Sequence, residues 1–372
     1  MALNFIADKG IMRCLILFLQ VELRHLMNKS SILRMPYVDM LNKKTTSSCG
    51  NFSLILALLF TISCATKKET VPSSSSKVHT VFKSRYAQRS YLRAYDIALK
   101  GLWGVPYDEK DIKTIYGNAH VIISGPANAK PLVLLHGMNA SSTMWYPNIK
   151  DFSQTYRVYC IDFILEPGKS LSHGQIESTE DIVKWYDEVF DQLKINNFSI
   201  VGASRGGWLA LHLKFHARHH ITKLALLSPA QTFTWIKPKR QVLANIFFTM
   251  YPRRPHLRKV MKTLTFNVDQ ISQLYYNQYF IAVAKTKTKT KANKSLLSMK
   301  PFSEDELKSL KIPVLVLIGE HDIINGKDGL QKAKDFIPNV QAEVVEETSH
   351  FLSFDRPEVI DKKVLDFLEN EK

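Results

Sequence analysis

The stretch "FSIVGASRGGWLALHL", Phe198–Leu213, changes its pattern halfway along. Its first part is a short apolar run typical of a buried strand, and its last part has the apolar spacing of a helix. The turn between them is crowded with small residues: Gly202, Ser204, Gly206 and Gly207. G-x-S-x-G is the pattern of a sharp strand-to-helix turn that presents a serine hydroxyl above the end of a sheet. A loop that is merely rich in glycine gives the same letters, so the rest of the chain must supply the context.

Strand-like runs alternate with helical segments from about Tyr86 to the end of the chain. The runs are "PLVLLHG" from Pro131, "YRVYCIDF" from Tyr156, "ITKLALLSPA" from Ile221, "IPVLVLIGEHD" from Ile312 and "AEVVEETSH" from Ala342. This alternation predicts an α/β fold with a mostly parallel central sheet and helices on both faces. Ligands of such sheets bind at the carboxyl ends of the strands, and Ser204 lies at one of those ends.

The alternation lapses over residues 231–309, where the chain reads as helices rich in aromatic residues. We therefore predict a helical cap inserted into a core formed by residues 86–230 and 310–372. Aromatic residues at helical spacing are typical of core packing. The insertion also leaves the sheet at its carboxyl edge, and this position favours a lid.

The N-terminal region reads as a targeting segment. Residues 52–64, "FSLILALLFTISC", form an apolar stretch that follows "LNKK" and is too short to span a bilayer comfortably. It resembles the signal peptide of bacterial lipoproteins, which implies lipidation at Cys64 and a tether over residues 64–85. We assign residues 1–63 to the signal peptide with an over-extended start, because Met40 would begin it well. The alternatives are a plain signal peptide and an uncleaved anchor.

The composition narrows the choice of partners. The 372 residues carry a net charge of +16 and give a pI near 9.5. Such a charge permits nucleic acid, anionic lipid or acidic substrates, but zinc-finger, RNP-type and basic-heptad patterns are missing, which disfavours nucleic acid. The lysine-rich "KTKTKTKANK", Lys285–Lys294, is interpreted as a solvated loop or as a patch that attracts anions or a membrane. The four cysteines (Cys14, Cys49, Cys64 and Cys160) lack metal-ligand spacing, and we predict neither a metal nor a cofactor.

A reactive serine needs a base, a carboxylate that orients the base, and donors for the oxyanion. Asp322 in "LIGEHD" and His350 in "EETSHFLSFDRPE" each follow a strand-like run. The chain order Ser204, Asp322, His350 is the order of the nucleophile-elbow arrangement. Asp328, a few residues further on, is the alternative carboxylate, and Glu320 is interpreted as an exposed neighbour.

Four motifs in this order resemble the α/β hydrolase superfamily, and in particular capped, carboxylesterase-like serine hydrolases of bacteria. They are the HG pair in "LVLLHGMNASSTMW", the turn "GASRGG", "GEHD" and "SHF…PE". The resemblance implies that Ser204 is the nucleophile, His350 the general base and Asp322 its carboxylate partner. It also implies an oxyanion hole made by the backbone N–H groups of Met138 and Arg205.

Two residues depart from the family pattern. Arg205 is a bulky cation where many members carry an apolar or neutral residue, and it either anchors the turn through an ion pair or offers a charge to an anionic substrate. Ser349 stands where glycine is more usual, and it either tightens the turn before His350 or makes a hydrogen bond. Neither departure removes a reacting atom.

The sequence thus predicts an enzyme that cleaves small-molecule carboxylic esters through an acyl-enzyme intermediate. Peptidase, lactonase, thioesterase, acyltransferase and haloperoxidase activities remain open, because fold and triad do not fix the substrate. A second class of function is a ligand-binding surface protein that keeps the scaffold without catalysis. The predicted location is the extracytoplasmic side of a membrane, anchored through Cys64, with a secreted or periplasmic protein as the alternative.

Overall fold

The structure is a computed structural model that describes residues 81–173, 176–287 and 299–370. The predicted signal peptide, Cys64 and the tether up to residue 80 lie outside these residues. Among the helices that the structure describes, none combines the length and the apolar character needed to cross a bilayer.

The described strands form one sheet. Their bounds are β1 Tyr107–Thr114, β2 Gly117–Ser124, β3 Pro131–Leu135, β4 Arg157–Ile161, β5 Leu171–Ser172, β6 Asn197–Ala203, β7 His220–Leu227, β8 Val314–Gly319 and β9 Val340–Val345. The order across the sheet is β1-β2-β4-β3-β6-β7-β8-β9, and β5 pairs with β2. The pairs of β2 with β1, β4 and β5 are antiparallel, and all pairs from β4 to β9 are parallel.

The first described helix precedes β1, and the others lie between and after the strands. They are α1 Arg85–Leu102, α2 Ile149–Thr155, α3 Thr179–Leu193, α4 Arg205–His216, α5 Arg240–Met250, α6 Arg254–Leu264, α7 Gln273–Lys285, α8 Glu304–Ser309, α9 Lys327–Phe336, α10 Leu352–Asp355 and α11 Pro357–Glu369. Helix α3 begins with a capping box, in which Ser178 accepts from the Asp181 backbone and the Asp181 side chain accepts from the Ser178 backbone.

Strands β3 and β8 are apolar along their whole length because both faces of the sheet are covered. In β3, Leu132 and Leu134 belong to one buried cluster, whereas Val133 and Leu135 belong to the other. Alternate side chains of a strand point to opposite faces, so the two clusters lie on the two sides of the sheet. The predicted α/β fold with a mostly parallel sheet is confirmed.

The segment between β7 and β8 contains helices α5, α6, α7 and α8. Helix α7 packs beside α1, where the Gln278 amide donates to the Tyr91 hydroxyl over 3.1 Å. From Met299 onward the chain returns to the main body, since Phe302 packs on Trp208 of α4 with ring centroids 5.5 Å apart. The segment therefore leaves the sheet at the carboxyl end of β7 and returns to it at the amino end of β8.

Candidate active site

Ser204 lies in the sharp turn between β6 and α4. Its backbone has φ 53° and ψ −117°, a conformation that costs free energy for a residue with a side chain. The turn is held by two hydrogen bonds, from the Ser204 N–H to the Leu227 carbonyl over 2.8 Å and from the Ala230 N–H to the Ser204 carbonyl over 3.1 Å. The neighbouring strand end thus keeps the serine in its strained position.

Two glycines are required around Ser204 because backbone segments approach each other closely there. A Cβ on Gly202 would lie 2.3 Å from the Gly206 carbonyl oxygen, and a Cβ on Gly206 would lie 2.1 Å from the Leu135 carbonyl oxygen. Both distances are far below van der Waals contact. Any larger residue would push α4 away from β6 or from β3, and the serine would move with it.

The structure brings together the three side chains that the sequence singled out. His350 Nε2 lies 2.9 Å from Ser204 Oγ, and His350 Nδ1 lies 3.1 Å from both carboxylate oxygens of Asp322. A carboxylate only accepts hydrogen bonds, so the proton of the neutral imidazole is on Nδ1. Nε2 is then free to accept from the serine hydroxyl. This arrangement can remove the proton from Ser204 when its oxygen attacks.

Asp322 is fixed by more than the histidine. The loop after β8 donates to its carboxylate from the Ile324 N–H over 2.8 Å, from the Asn325 N–H over 3.2 Å and from the Asn325 amide over 2.8 Å. Burial acts to raise the pKa of the Asp322 carboxyl, but the charge of His350 and these hydrogen bonds together lower it below the usual aspartate value. Asp322 is therefore a carboxylate at neutral pH.

The other two acidic candidates point elsewhere. Asp328 forms an exposed ion pair with Lys237 over 2.8 Å, and the hydrogen bond from Lys237 lowers its pKa. Glu320 is exposed and accepts from the Glu347 N–H over 3.2 Å. Of the three carboxylates considered from the sequence, His350 contacts Asp322.

The two backbone donors expected for an oxyanion belong to residues next to Ser204 in the chain or in space. Arg205 is the first residue of α4, and Met138 follows Gly137, where an added Cβ would lie 3.3 Å from Ser204 Cβ. Within the described residues, neither the Met138 N–H nor the Arg205 N–H donates to a protein acceptor. Both N–H groups are therefore available to an oxygen beside Ser204.

His136 of the HG pair is a structural residue. It is buried, its Nε2 accepts from the Phe163 N–H over 2.8 Å, and its Nδ1 lies 2.9 Å from the Gly137 carbonyl. A backbone N–H can only donate, so the Nε2 atom carries no proton and Nδ1 does. Burial lowers the pKa of the His136 imidazole, so it stays neutral and ties the loop after β3 to the loop after β4.

The side chain of Arg205 is buried in an ion pair with Glu166. The other carboxylate oxygen of Glu166 accepts from the Asn139 N–H over 2.9 Å, and the Arg205 guanidinium also donates to the Gly137 carbonyl over 3.4 Å. Of the two readings of Arg205 left open by the sequence, the contacts correspond to the anchor. Glu166 was missed, because nothing in its local sequence "LEPGKS" marks it.

The loop that carries His350 is held by Asp355, which the sequence reading also missed. One carboxylate oxygen of Asp355 accepts from the Ser349 N–H over 2.8 Å. The other accepts from the N–H groups of Phe266 and Asn267, which follow α6. Burial raises the pKa of Asp355 to about 6 despite these three hydrogen bonds. Ser349 therefore fixes the turn before His350 through its backbone N–H, which donates to Asp355.

The loop after β3 is also fixed from α7. The Gln278 side chain donates to Ser141 Oγ over 3.0 Å and accepts from Thr143 Oγ1 over 3.0 Å. Gln278 itself is buried. In the part of the chain that the structure describes, no group of three or more His, Cys, Asp or Glu side chains could hold a metal ion.

Known proteins are similar to this chain in fold and in sequence. A family model described as the alpha/beta hydrolase fold matches residues 130–357. Carboxylesterase YbfK of Bacillus subtilis is 30% identical over 281 residues, which are 75% of this chain and 93% of that protein. The "uncharacterized carboxylesterase nap" of the same bacterium is 32% identical over 283 residues, 76% of this chain and 93% of that protein. The crystal structure of naproxen esterase from Bacillus subtilis has a TM-score of 0.69 at 31% identity and covers 75% of this chain and 97% of its own.

Proposed function

The chain belongs to the alpha/beta hydrolase family, and we propose that it is a serine carboxylesterase in which Ser204, His350 and Asp322 form the catalytic triad. The observation that carries the proposal is the continuous line of hydrogen bonds from Ser204 Oγ through the imidazole to the Asp322 carboxylate. The relatives named as carboxylesterases support carboxylic esters of small molecules as the substrate class.

In the first half-reaction Ser204 Oγ attacks the ester carbonyl carbon, and its proton passes to His350 Nε2. The carbonyl π electrons move to the oxygen, and Asp322 stabilises the imidazolium that forms. The bond from the carbonyl carbon to the leaving oxygen then breaks, and His350 returns the proton to the leaving alcohol. An acyl-enzyme on Ser204 remains.

In the second half-reaction a water molecule takes the place of the alcohol. His350 Nε2 accepts the water proton while the water oxygen attacks the acyl carbon, and the proton then passes to Ser204 Oγ as the carboxylic acid leaves. In both halves the negative charge on the carbonyl oxygen is stabilised by the N–H groups of Met138 and Arg205. Loss of one such donor typically costs about 3 kcal/mol of barrier height.

The test is hydrolysis of p-nitrophenyl esters of increasing acyl length by the wild type and by Ser204→Ala. Ser309→Ala is the matched control, because Ser309 is exposed at the end of α8. We expect turnover in the wild type and in the control, and none above background in Ser204→Ala. A folded wild type that neither hydrolyses any ester of the series nor reacts with a fluorophosphonate probe would exclude the proposal.

We further propose that residues 231–309 act as a cap on the core formed by residues 86–230 and 310–372. The hydrogen bonds of Gln278 to the loop after β3 support this division. Gln278→Leu should then change the preference for acyl length, and it should also lower stability, because it leaves the buried hydroxyls of Tyr91, Ser141 and Thr143 without this partner. A variant with an unaltered preference would count against the cap.

We also propose that the protein is exported, with residues 1–63 removed as a signal peptide and Cys64 lipidated. The support is the sequence alone: a basic segment, a short apolar stretch and a cysteine after small residues. Metabolic labelling with palmitate should mark the wild type and Cys49→Ala but not Cys64→Ala. Label that persists in Cys64→Ala would contradict the proposal.

A further inference from the structure

Helix α5 turns an apolar face towards solvent. The face consists of Leu243, Ile246, Phe247 and Met250, and Tyr251 continues it beyond the helix. Phe247 is 47% exposed, Met250 is 50% exposed and Tyr251 is 58% exposed. The spacing i, i+3, i+4, i+7 places the four helical residues on one side, whereas Val242 and Phe248 are buried on the other. We refer to these five exposed or half-exposed residues as the apolar stripe.

The apolar stripe is a contiguous feature. Single exposed apolar residues are normal on protein surfaces, but contiguous ones mark contact sites. The Phe247 and Tyr251 rings lie 5.1 Å apart, so the stripe extends without a gap from the helix into the following turn. Covering such a surface with another apolar phase is favourable, because it removes the apolar side chains from water.

The charges around the apolar stripe have one sign. Between Lys237 and Lys262 the chain carries eight lysines and arginines and not one aspartate or glutamate. The exposed cations that form no ion pair within the described residues are Lys239, Arg240, Arg253, Arg254, Lys259 and Lys262. The stripe is therefore flanked at both ends of α5 by positive charge that other parts of the fold leave uncompensated.

We propose that α5 and the start of α6 form a docking surface for an anionic lipid bilayer. An amphipathic helix with aromatic and aliphatic residues on one side and cations at its flanks lies in the plane of the membrane interface. A bilayer surface offers a broad apolar layer beneath a continuous negative charge, which matches a convex stripe with cations at both ends.

The docking surface belongs to the segment between β7 and β8, which leaves the sheet at the edge where Ser204 lies. The proposal depends on the surface alone, and it holds whether or not Ser204 acts on esters.

The experiment reads the stripe directly in the full chain by tryptophan fluorescence. Of the five tryptophans, Trp235 is 61% exposed and the other four are buried. Trp235→Phe removes the exposed signal, and Phe247→Trp or Tyr251→Trp in that background places a reporter in the stripe. Asn128→Trp is the matched control reporter, because Asn128 is exposed in the turn before β3, at the opposite edge of the sheet.

Vesicles of phosphatidylglycerol with brominated acyl chains should quench the stripe reporters and shift their emission to the blue, and should leave the Asn128→Trp reporter unchanged. Vesicles of phosphatidylcholine with the same chains should quench them much less. Adsorption through residues 52–64 alone would leave the stripe reporters unquenched and would overturn the proposal. A reporter already shifted to the blue without lipid, in a chain that sediments as a dimer, would also overturn it in favour of a second copy.

The charge requirement is tested in the same reporter background. Arg253→Gln, Lys259→Gln and Lys262→Gln together should raise the lipid concentration at half-quenching by on the order of a hundredfold, since each basic residue near an anionic surface contributes about 1 kcal/mol, which is about fivefold in affinity. The control set removes the same charge elsewhere: Lys130→Gln, Lys311→Gln and Lys334→Gln. Equal effects of the two sets would show attraction by net charge alone and would refute a defined docking surface.

Discussion

The buried ion pair of Arg205 and Glu166 leads to a prediction in which a double substitution restores stability but not activity. Glu166→Leu removes the carboxylate and leaves the guanidinium of Arg205 buried without a counter-charge; the two side chains are 1% and 7% exposed. Breaking a buried pair from one side typically costs about 3–5 kcal/mol of unfolding free energy. Removing both charges, in Glu166→Leu with Arg205→Met, should restore most of it, because apolar residues of similar volume replace such pairs at little cost.

Activity should not return with stability. Glu166 accepts from the Asn139 N–H, one residue beyond the Met138 donor, and Arg205 donates to the Gly137 carbonyl. Both contacts are absent in the double variant, so the loop loses the restraints that keep the Met138 N–H beside Ser204. Loss of one oxyanion donor lowers kcat by about 10²–10³-fold, and we expect the double variant to approach that range.

The assay pairs urea unfolding with kcat for a p-nitrophenyl ester. The matched control removes the exposed pair of Lys362 and Asp366 in α11, which should change stability by about 0.5 kcal/mol or less and leave kcat alone. A double variant at Glu166 and Arg205 with wild-type kcat would refute the positioning role. A single Glu166→Leu variant of wild-type stability would refute the reasoning about the uncompensated charge.

Three further predictions concern single side chains. Asp322→Asn should lower kcat by about 10⁴-fold with little change in stability, because the amide no longer holds the proton on His350 Nδ1; retained activity in the ester assay would exclude the triad. Gly206→Ala should prevent stable folding, since its Cβ would meet the Leu135 carbonyl at 2.1 Å, whereas Gly329→Ala has 3.4 Å to its nearest atom and should be tolerated in thermal unfolding. Burial raises the pKa of Asp361 to about 8, so the folded state binds its proton more tightly than the unfolded state, and stability should fall as pH rises from about 4 to about 8. Asp361→Asn should remove this pH-dependent loss of stability, and urea unfolding across the pH window measures it. A variant whose unfolding free energy depends on pH as steeply as that of the wild type would refute the prediction.

The sequence was sufficient for the features that local pattern determines. Apolar runs with both faces covered identify the parallel strands, and the ends of those strands meet at one edge. Ser204, Asp322 and His350 each follow such a run, so their proximity could be expected from topology before any distance was known. The glycines at 202 and 206 could be read in the same way, because a close backbone approach excludes every larger residue.

The residues that hold the site in place were not predictable from the sequence. Glu166, Gln278 and Asp355 contact the loops of the site from the loop after β4, from α7 and from α10. Each contact joins residues whose separation along the chain carries no periodic signal, and each depends on how a loop or helix packs after the sheet has formed. Burial of Arg205 required a counter-charge, but the sequence offered many carboxylates and no way to choose among them.

These supporting contacts connect the segment between β7 and β8 to both halves of the site. Gln278 of α7 fixes the loop that carries the Met138 donor, and Asp355 joins the His350 loop to the residues that follow α6. A displacement of α7 would therefore release the oxyanion loop, and a displacement at the end of α6 would release the histidine loop. If α5 docks on a bilayer, any displacement of the segment that follows acts on these two contacts. The position of the segment and the geometry around Ser204 are then coupled, and lipid vesicles should change kcat through that coupling even for a water-soluble ester.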